Sequence, residues 1–285
     1  MANLRNPCVG AIVVTFNPDD RLREVLTSIC SQVSNVVVVD NGSSNIQFIR
    51  DLSELNSNIN LIELQENFGI GEALNVGVSK VSGLGLKWIL TLDQDSITHP
   101  DMVKELFSCA IEFEYDSVCP IAVENLAKES ISIGHESVDL CITSGQMTKI
   151  EVINSINGFD SELFIDNVDF DFCLKLKNHN FSLGRVYSAI LFHQLGEVTV
   201  KKRCCHTFHT FHTFHSPLRR YYMYRNSVYL IRQYFRSNPI IICKFIVASF
   251  LSFFSIIAFG ERRACSLKMI SLGLFHAFIG RKGGV

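Results

Sequence analysis

Asp93-Gln94-Asp95 places two carboxylates one residue apart, directly behind the apolar run 88–92. Carboxylates so spaced at a strand end offer hard oxygen ligands that a divalent ion can share with a diphosphate. The tripeptide alone reads more readily as an ordinary solvated turn with an Asp helix cap. Two other polar strand ends favour the metal reading. Thr15-Phe16-Asn17 closes the run 9–15, and Asp40-Asn41-Gly42-Ser43-Ser44 closes four consecutive valines. A β-turn explains Gly42 to Ser44, but not a carboxylate behind Val36-Val37-Val38-Val39, where Asp40 can accept from a base or ribose hydroxyl.

Asn67-Phe68-Gly69-Ile70-Gly71-Glu72-Ala73-Leu74-Asn75 has the look of a dinucleotide fingerprint, but the third glycine of that motif would fall at Leu74, which is bulky. Glycines opening a helix still let a phosphate approach closely, or let the helix pack on a sheet. Downstream, Asp166, Asp169 and Asp171 sit in the hydrophobic frame 164–172. Acids in a first helical turn are electrostatically favourable in any protein. A carboxylate among aromatics can also have a raised pKa and act as a general base. His193, at the end of an apolar strand, is a candidate metal or phosphate ligand, although a lone histidine is more often structural. His206, His209, His212 and His215 recur every third residue in a Thr-Phe-His repeat. That row lacks the i+4 companions needed to surround an ion and reads as a tandem expansion in a loop.

These side chains need elements to hold them. Residues 9–15, 36–39, 60–64 and 88–92 read as strands, separated by helices over about 21–31 and from Gly69 onwards, with Pro100 opening the next. Continuous rather than alternating apolar runs imply burial on both faces, as in a parallel sheet. Strand–helix repeats mean an α/β fold with right-handed crossovers, whose ligands bind beyond the carboxyl ends of the strands. Further on, 169–178 reads as a helix and 181–192 as one or two strands. Ser216-Pro217 starts a helix to about Arg236. That helix is basic and aromatic, so Arg219 and Arg225 suit a pyrophosphate or anionic headgroups, or else a solvated face over a tyrosine-lined contact. Residues 240–259 are about long enough to cross a bilayer, but Lys244, Ala248, Ser252 and Ser255 share one stripe, which favours peripheral association. A catalytic domain over 1–215 and a helical region over 216–285 follow.

With 285 residues, 47% hydrophobic and 19% charged, the chain builds a full core, and a formal charge of -2 argues against a dedicated nucleic-acid binder. Ten cysteines without a C-x-x-C pair argue against structural zinc. Cys8, Cys30, Cys109, Cys119, Cys141 and Cys173 read as buried and reduced, which with no signal peptide fits a cytoplasmic setting.

Together these motifs resemble the inverting family 2 glycosyltransferases of GT-A fold, in particular bacterial rhamnosyltransferases of cell-surface polysaccharide synthesis. The resemblance rests on Val14-Thr15-Phe16-Asn17, Val39-Asp40-Asn41-Gly42-Ser43, Asn67-x-Gly69-x-Gly71, Leu92-Asp93-Gln94-Asp95-Ser96, Phe164-Ile165-Asp166-x-x-Asp169-x-Asp171 and His215-Ser216-Pro217-x-Arg219-x-Tyr221-Tyr222-x-x-Arg225-Asn226. A weaker echo lies in Phe278-Ile279-Gly280-Arg281-Lys282-Gly283. It implies a Rossmann-like nucleotide-diphospho-sugar transferase fold with a mainly parallel central sheet and C-terminal helices. It also implies nucleotide contacts from Thr15, Asn17, Asp40, Asn41, Asn67, Gly69, Gly71, Asn75, Arg219 and Arg225. By the same likeness Asp93 and Asp95, assisted by His193, hold Mg²⁺ or Mn²⁺ on the diphosphate, and Ser144-Gly145-Gln146 underlies the acceptor. Asp169 is then the base, with Asp166 and Asp171 as alternates because Val168 stands where many members carry Glu. The implied reaction moves L-rhamnose from dTDP-β-L-rhamnose to a lipid-linked saccharide, for O-antigen or capsule, at the cytoplasmic face of the inner membrane. A UDP-hexose or UDP-galactofuranose donor, or nucleotide-sugar binding without turnover, are the alternatives.

Overall fold

The computed structural model describes residues 6–123, 133–193, 215–259 and 262–285. Its first strands and helices are β1 (Asn6–Thr15), α1 (Arg21–Cys30), β2 (Val33–Asp40), α2 (Ile46–Glu54), β3 (Ile59–Glu63), α3 (Ile70–Gly83) and β4 (Trp88–Asp93). Next come β5 (Ile97–Thr98), α4 (Met102–Glu112), β6 (Ser117–Val123), β7 (His135–Ser137), β8 (Met147–Lys149), α5 (Ile150–Ser155), α6 (Val168–Asn178) and β9 (Leu183–Phe192). Three helices follow: α7 (Pro217–Tyr234), α8 (Pro239–Phe259) and α9 (Arg263–Phe278).

The chain forms two compact units. The first comprises Met1–Phe164, Val168–His193 and Gly283–Val285; the second comprises Ile165–Asn167 and Gln194–Lys282. Among the described residues the strands all lie in the first, as one mixed sheet of order β3-β2-β1-β4-β8-β6-β9-β5, with β7 beside β9. Its leading half, β3-β2-β1-β4, is parallel throughout, as is β6 with β9. The short strands β5, β7 and β8 pair antiparallel.

The apolar runs are continuous because both faces are covered. Val9, Ala11 and Val13 of β1 pack with Leu22, Ile29, Leu52 and Leu106 of the helices on one side. On the other, Gly77 of α3 lies against Ile12, where an added Cβ would come within 2.5 Å of that side chain. The glycine lets helix and sheet approach closely. Residues 283–285 return to this unit: Gly283 N–H donates to Glu162 O at 2.8 Å, and Gly284 packs on the Phe164 ring.

In the second unit Ser216 caps α7, its hydroxyl accepting from Arg219 N, with Pro217 next in line. Gly273 of α9 abuts the Tyr221 carbonyl, and the Tyr221 hydroxyl and His276 Nδ1 share a 2.7 Å hydrogen bond. Helix α8 is mostly uncovered. Only 11% of the stretch Pro239–Ala258, of mean hydropathy 2.5, is buried. Ile242 and Ile256 form its inward row, while Lys244, Ala248 and Ser252 face outward beside Val247, Phe250, Leu251 and Phe254.

Several expectations shift. Helix α4 begins at Met102 behind Asp101, so Pro100 precedes the helix rather than opening it. In place of one or two strands over 181–192 there is the single strand β9, Leu183–Phe192. Cys8 is only half-buried, because β1 lies deepest past its first residues. The repeat histidines His206, His209 and His212 lie outside the described residues.

Candidate active site

The site is built where β1, β2 and β4 end side by side. Register pairs Thr15 with Asp40 and Val14 with Asp93, so the three polar segments meet at one sheet edge. Asp40 is 1% exposed. Its Oδ1 accepts from Thr15 Oγ1 at 3.0 Å and from the Ser43 hydroxyl, and its Oδ2 accepts from Ser43 N at 2.9 Å. A carboxylate has about four acceptor positions, so this one is largely occupied by its own turn. Asn17 Oδ1 accepts from Ser44 N at 2.9 Å and fastens the β1 loop to the β2 loop. Gln94 fastens the β4 loop to Phe16: Oε1 accepts from Phe16 N at 2.8 Å and Nε2 donates to Phe16 O at 3.3 Å.

Asp93, Asp95 and His193 come together with one ligand atom from each within 4.8 Å of the others. All three are half-buried. His193 is carried in at the end of β9, which pairs with β5 just beyond Asp95. Behind them Asp93 N donates to Ser144 Oγ at 3.1 Å, and Ser144 Oγ donates to Ser96 Oγ at 2.8 Å. Two carboxylates and an imidazole are a donor set that suits a borderline or hard divalent ion, so the residues fit the expected metal.

The glycine segment meets the protein's own backbone. Gly69, at φ +89°, has its α-carbon so close to Phe164 that a Cβ would lie 2.5 Å from the Phe164 carbonyl oxygen. Ile70 N donates to that same oxygen at 2.7 Å. A Cβ on Gly71 would stand 2.6 Å from Asp160 O. The close approach is by the protein's own backbone, so the packing alternative explains both glycines. Asn75 is likewise structural: it donates to Phe159 O and accepts from Phe159 N, both at 2.9 Å. Asn41 and Asn67 bond each other at 3.0 Å and receive Phe68 N and Gly69 N. These residues shape the wall between β2 and α3.

The three acids separate. Asp169 is half-buried in the first turn of α6, its Oδ1 accepting from Phe170 N at 2.9 Å. Asp171 is fully buried and ion-paired to Lys175 at 2.9 Å, which suits it to holding α6 rather than to meeting substrate. Asp166 belongs to the second unit and pairs with Arg219 at 2.9 Å. Burial raises its pKa above the ordinary carboxylate value, against the pull of Arg219. Its backbone is left-handed (φ +63°), as is Asn167 (φ +64°), and Asn226 Nδ2 holds the Ile165 and Asp166 carbonyls at 2.8 and 2.9 Å. Arg225 is fully buried, bonded to Asn226 Oδ1 and set against the Tyr221 and Tyr222 rings, so it is a packing residue rather than a pyrophosphate contact.

Sequence reasoning passed over the tethers. Gln94 is part of the Asp93-Gln94-Asp95 motif without any signal for a tether, and strand adjacency makes it a clamp on Phe16. Ser96 and Ser144 are distant in sequence and carry no pairing signal beyond each lying in a motif.

Comparison with known proteins follows the same lines. The model of glycosyl transferase family 2 matches residues 11–155. Over 249 residues the chain is 30% identical to the dTDP-rhamnosyl transferase RfbF of Shigella flexneri, spanning 80% of this chain and 81% of that protein. Among solved structures, GalNAc-T7 with UDP, GalNAc and Mn²⁺ superposes at TM-score 0.56 and 12% identity, over 65% of this chain and 43% of the other. S. aureus TarS 1-349 in complex with UDP-GlcNAc superposes at TM-score 0.52 and 15% identity, over 95% of this chain and 72% of the other. At these identities the structural likeness speaks for the fold, a GT-A type, and the chain spans under half of GalNAc-T7.

Proposed function

This chain belongs to glycosyl transferase family 2, and we propose that it moves L-rhamnose from dTDP-β-L-rhamnose, with inversion, to a hydroxyl of a lipid-linked saccharide. One observation carries the catalytic part of this reading: Asp93, Asp95 and His193 gather at the edge where Asp40 and Thr15 also end. The choice of donor is supported by the similarity to the Shigella rhamnosyl transferase.

In this reading Thr15, Asp40 and Asn41 shape the nucleotide end. Asp93, Asp95 and His193 would hold Mg²⁺ or Mn²⁺, whose charge would offset that of the departing diphosphate. Asp169 takes the proton of the acceptor hydroxyl, which attacks the anomeric carbon opposite the diphosphate. A single displacement of this kind inverts the configuration. Arg219, held by Asp166, offers a guanidinium to a phosphate or headgroup.

Helix α8 supports the reading of acceptor and location. An apolar helix with 11% of its span buried suits the surface of a bilayer, where a lipid-linked saccharide is found. We place the enzyme peripherally on the cytoplasmic face of the inner membrane.

The donor is tested by calorimetric titration with dTDP, UDP and NAD, with and without Mn²⁺, followed by a donor screen on lipid-linked acceptors with linkage analysis. Mn²⁺-dependent preference for dTDP and an α-L-rhamnoside product support the proposal. Preference for UDP moves the assignment to a UDP-hexose or UDP-galactofuranose, and metal-independent NAD binding ends it.

A further inference from the structure

Away from the sheet edge, three thiols share one buried pocket. Cys119 lies on β6, Cys141 on the loop between β7 and β8, and Cys173 on α6, with 2%, 9% and 1% of their surface exposed. The Cys141 and Cys173 sulfurs are 3.9 Å apart. Cys141 N donates to Cys173 Sγ at 3.4 Å, and Cys173 Sγ donates back to Cys141 O at 3.6 Å. The loop and the helix therefore meet through these two residues. Cys119 borders the same pair. The Cys141 thiol hydrogen-bonds to it and, with help from the Arg185 guanidinium, holds the Cys119 thiol below its ordinary pKa, while the Cys141 thiol is pushed up.

A structural zinc would need more. The described residues that could hold a metal do not include this trio, so its ligand atoms do not close around one point. The Cys141 and Cys173 sulfurs, in contact with each other and bonded through the Cys141 backbone, are placed for sulfur–sulfur chemistry.

We propose that Cys141 and Cys173 form a reversible intramolecular disulfide, which makes the junction of the 138–146 loop with α6 a thiol-oxidation site. With a peroxide as oxidant, one S–S bond forms as both thiols lose hydrogen. The two electrons and two protons reduce hydrogen peroxide to two waters. A disulfide brings the sulfurs to about 2.05 Å, so the loop or the helix must shift. The loop also carries Thr143 and Ser144, bonded to Thr91 and Ser96, and Cys173 lies one turn beyond Asp169. Oxidation thus couples the serine network behind Asp93 to the helix bearing Asp169. The inference rests on thiol geometry and is independent of the donor.

The full chain is oxidised with hydrogen peroxide, free thiols are alkylated, and the digest is read by mass spectrometry without reductant. A linked Cys141–Cys173 peptide that dithiothreitol abolishes is the expected result. Hydrogen exchange across 138–146 slows by roughly fivefold in the oxidised protein, since a cross-link suppresses local opening. Cys173→Ala and, as a second variant, Cys141→Ala lose both effects, whereas Cys119→Ala keeps them. Alkylation of Cys141 under conditions that oxidise the exposed Cys243 and Cys265 overturns the proposal, as does a Cys119–Cys141 linkage.

Discussion

His193 Nδ1 lies 2.7 Å from Ser96 Oγ, a hydrogen bond that links the candidate metal cluster to the serine pair behind it. Ser144 donates to Ser96 at 2.8 Å, and Ser96 donates onward to Asp95 Oδ1 at 3.5 Å. One ring nitrogen of His193 is thus held by a hydroxyl partner, as is common for imidazoles that ligate a metal.

Removing that partner should weaken metal binding without removing a ligand. Ser96→Ala is expected to lower Mn²⁺ affinity by about tenfold, in line with other outer-shell losses. His193→Ala and Asp95→Asn should lower it further, and titration calorimetry in the presence of dTDP orders the three.

The acids at α6 should part company kinetically. Asp169→Asn is expected to reduce turnover by roughly 10²-fold or more while leaving nucleotide affinity unchanged, as loss of a general base does. Asp171→Asn, which removes a buried partner of Lys175, should instead lower the thermal midpoint. Parallel assays of turnover, dTDP binding and melting distinguish the two roles.

Gly69→Ala tests the seam between α3 and residue 164. The new methyl group meets the Phe164 carbonyl in a left-handed backbone. A loss of about 1–3 kcal/mol in urea unfolding is expected from strain and overpacking.

Acid should weaken the second unit through His215. Burial first, then Arg219 and Arg220, lower its pKa from 6.5 to about 4. Between those values the unfolded chain binds a proton that the folded chain refuses, so stability is full above 6.5 and falls as pH drops towards 4. Thermal midpoints measured across that window should flatten in His215→Gln.

Membrane association is checked by fractionation. Release of the full chain by carbonate is expected, and Phe250→Ser with Phe254→Ser should leave it soluble without carbonate.

The parallel half of the sheet was legible because burial on both faces leaves unbroken runs such as Val36-Val37-Val38-Val39. Strands β5, β7 and β8 were not, since two or three residues hold no period and their pairing comes from partners far along the chain. At the site, Asp93, Asp95 and His193 could be named from residue type and strand ends. Asn75 and Arg225 are named as ligand contacts by type, and in the structure the same polar groups satisfy a backbone and stack on tyrosines. Gly69 and Gly71 signalled a close approach, but not that Phe164 and Asp160 would be what approached.

The return of residues 283–285 to the first unit has a consequence for biosynthesis. A ribosome releases residues 6–193 well before the segment that lies against Glu162 and Phe164 exists. Until then the floor beneath Phe164 lacks its last contacts, and α7 to α9 must be synthesised before they can form. Completion of the first unit is therefore timed by translation of the second, and a nascent chain stalled before Gly283 carries Asp93, Asp95 and His193 in an unfinished frame.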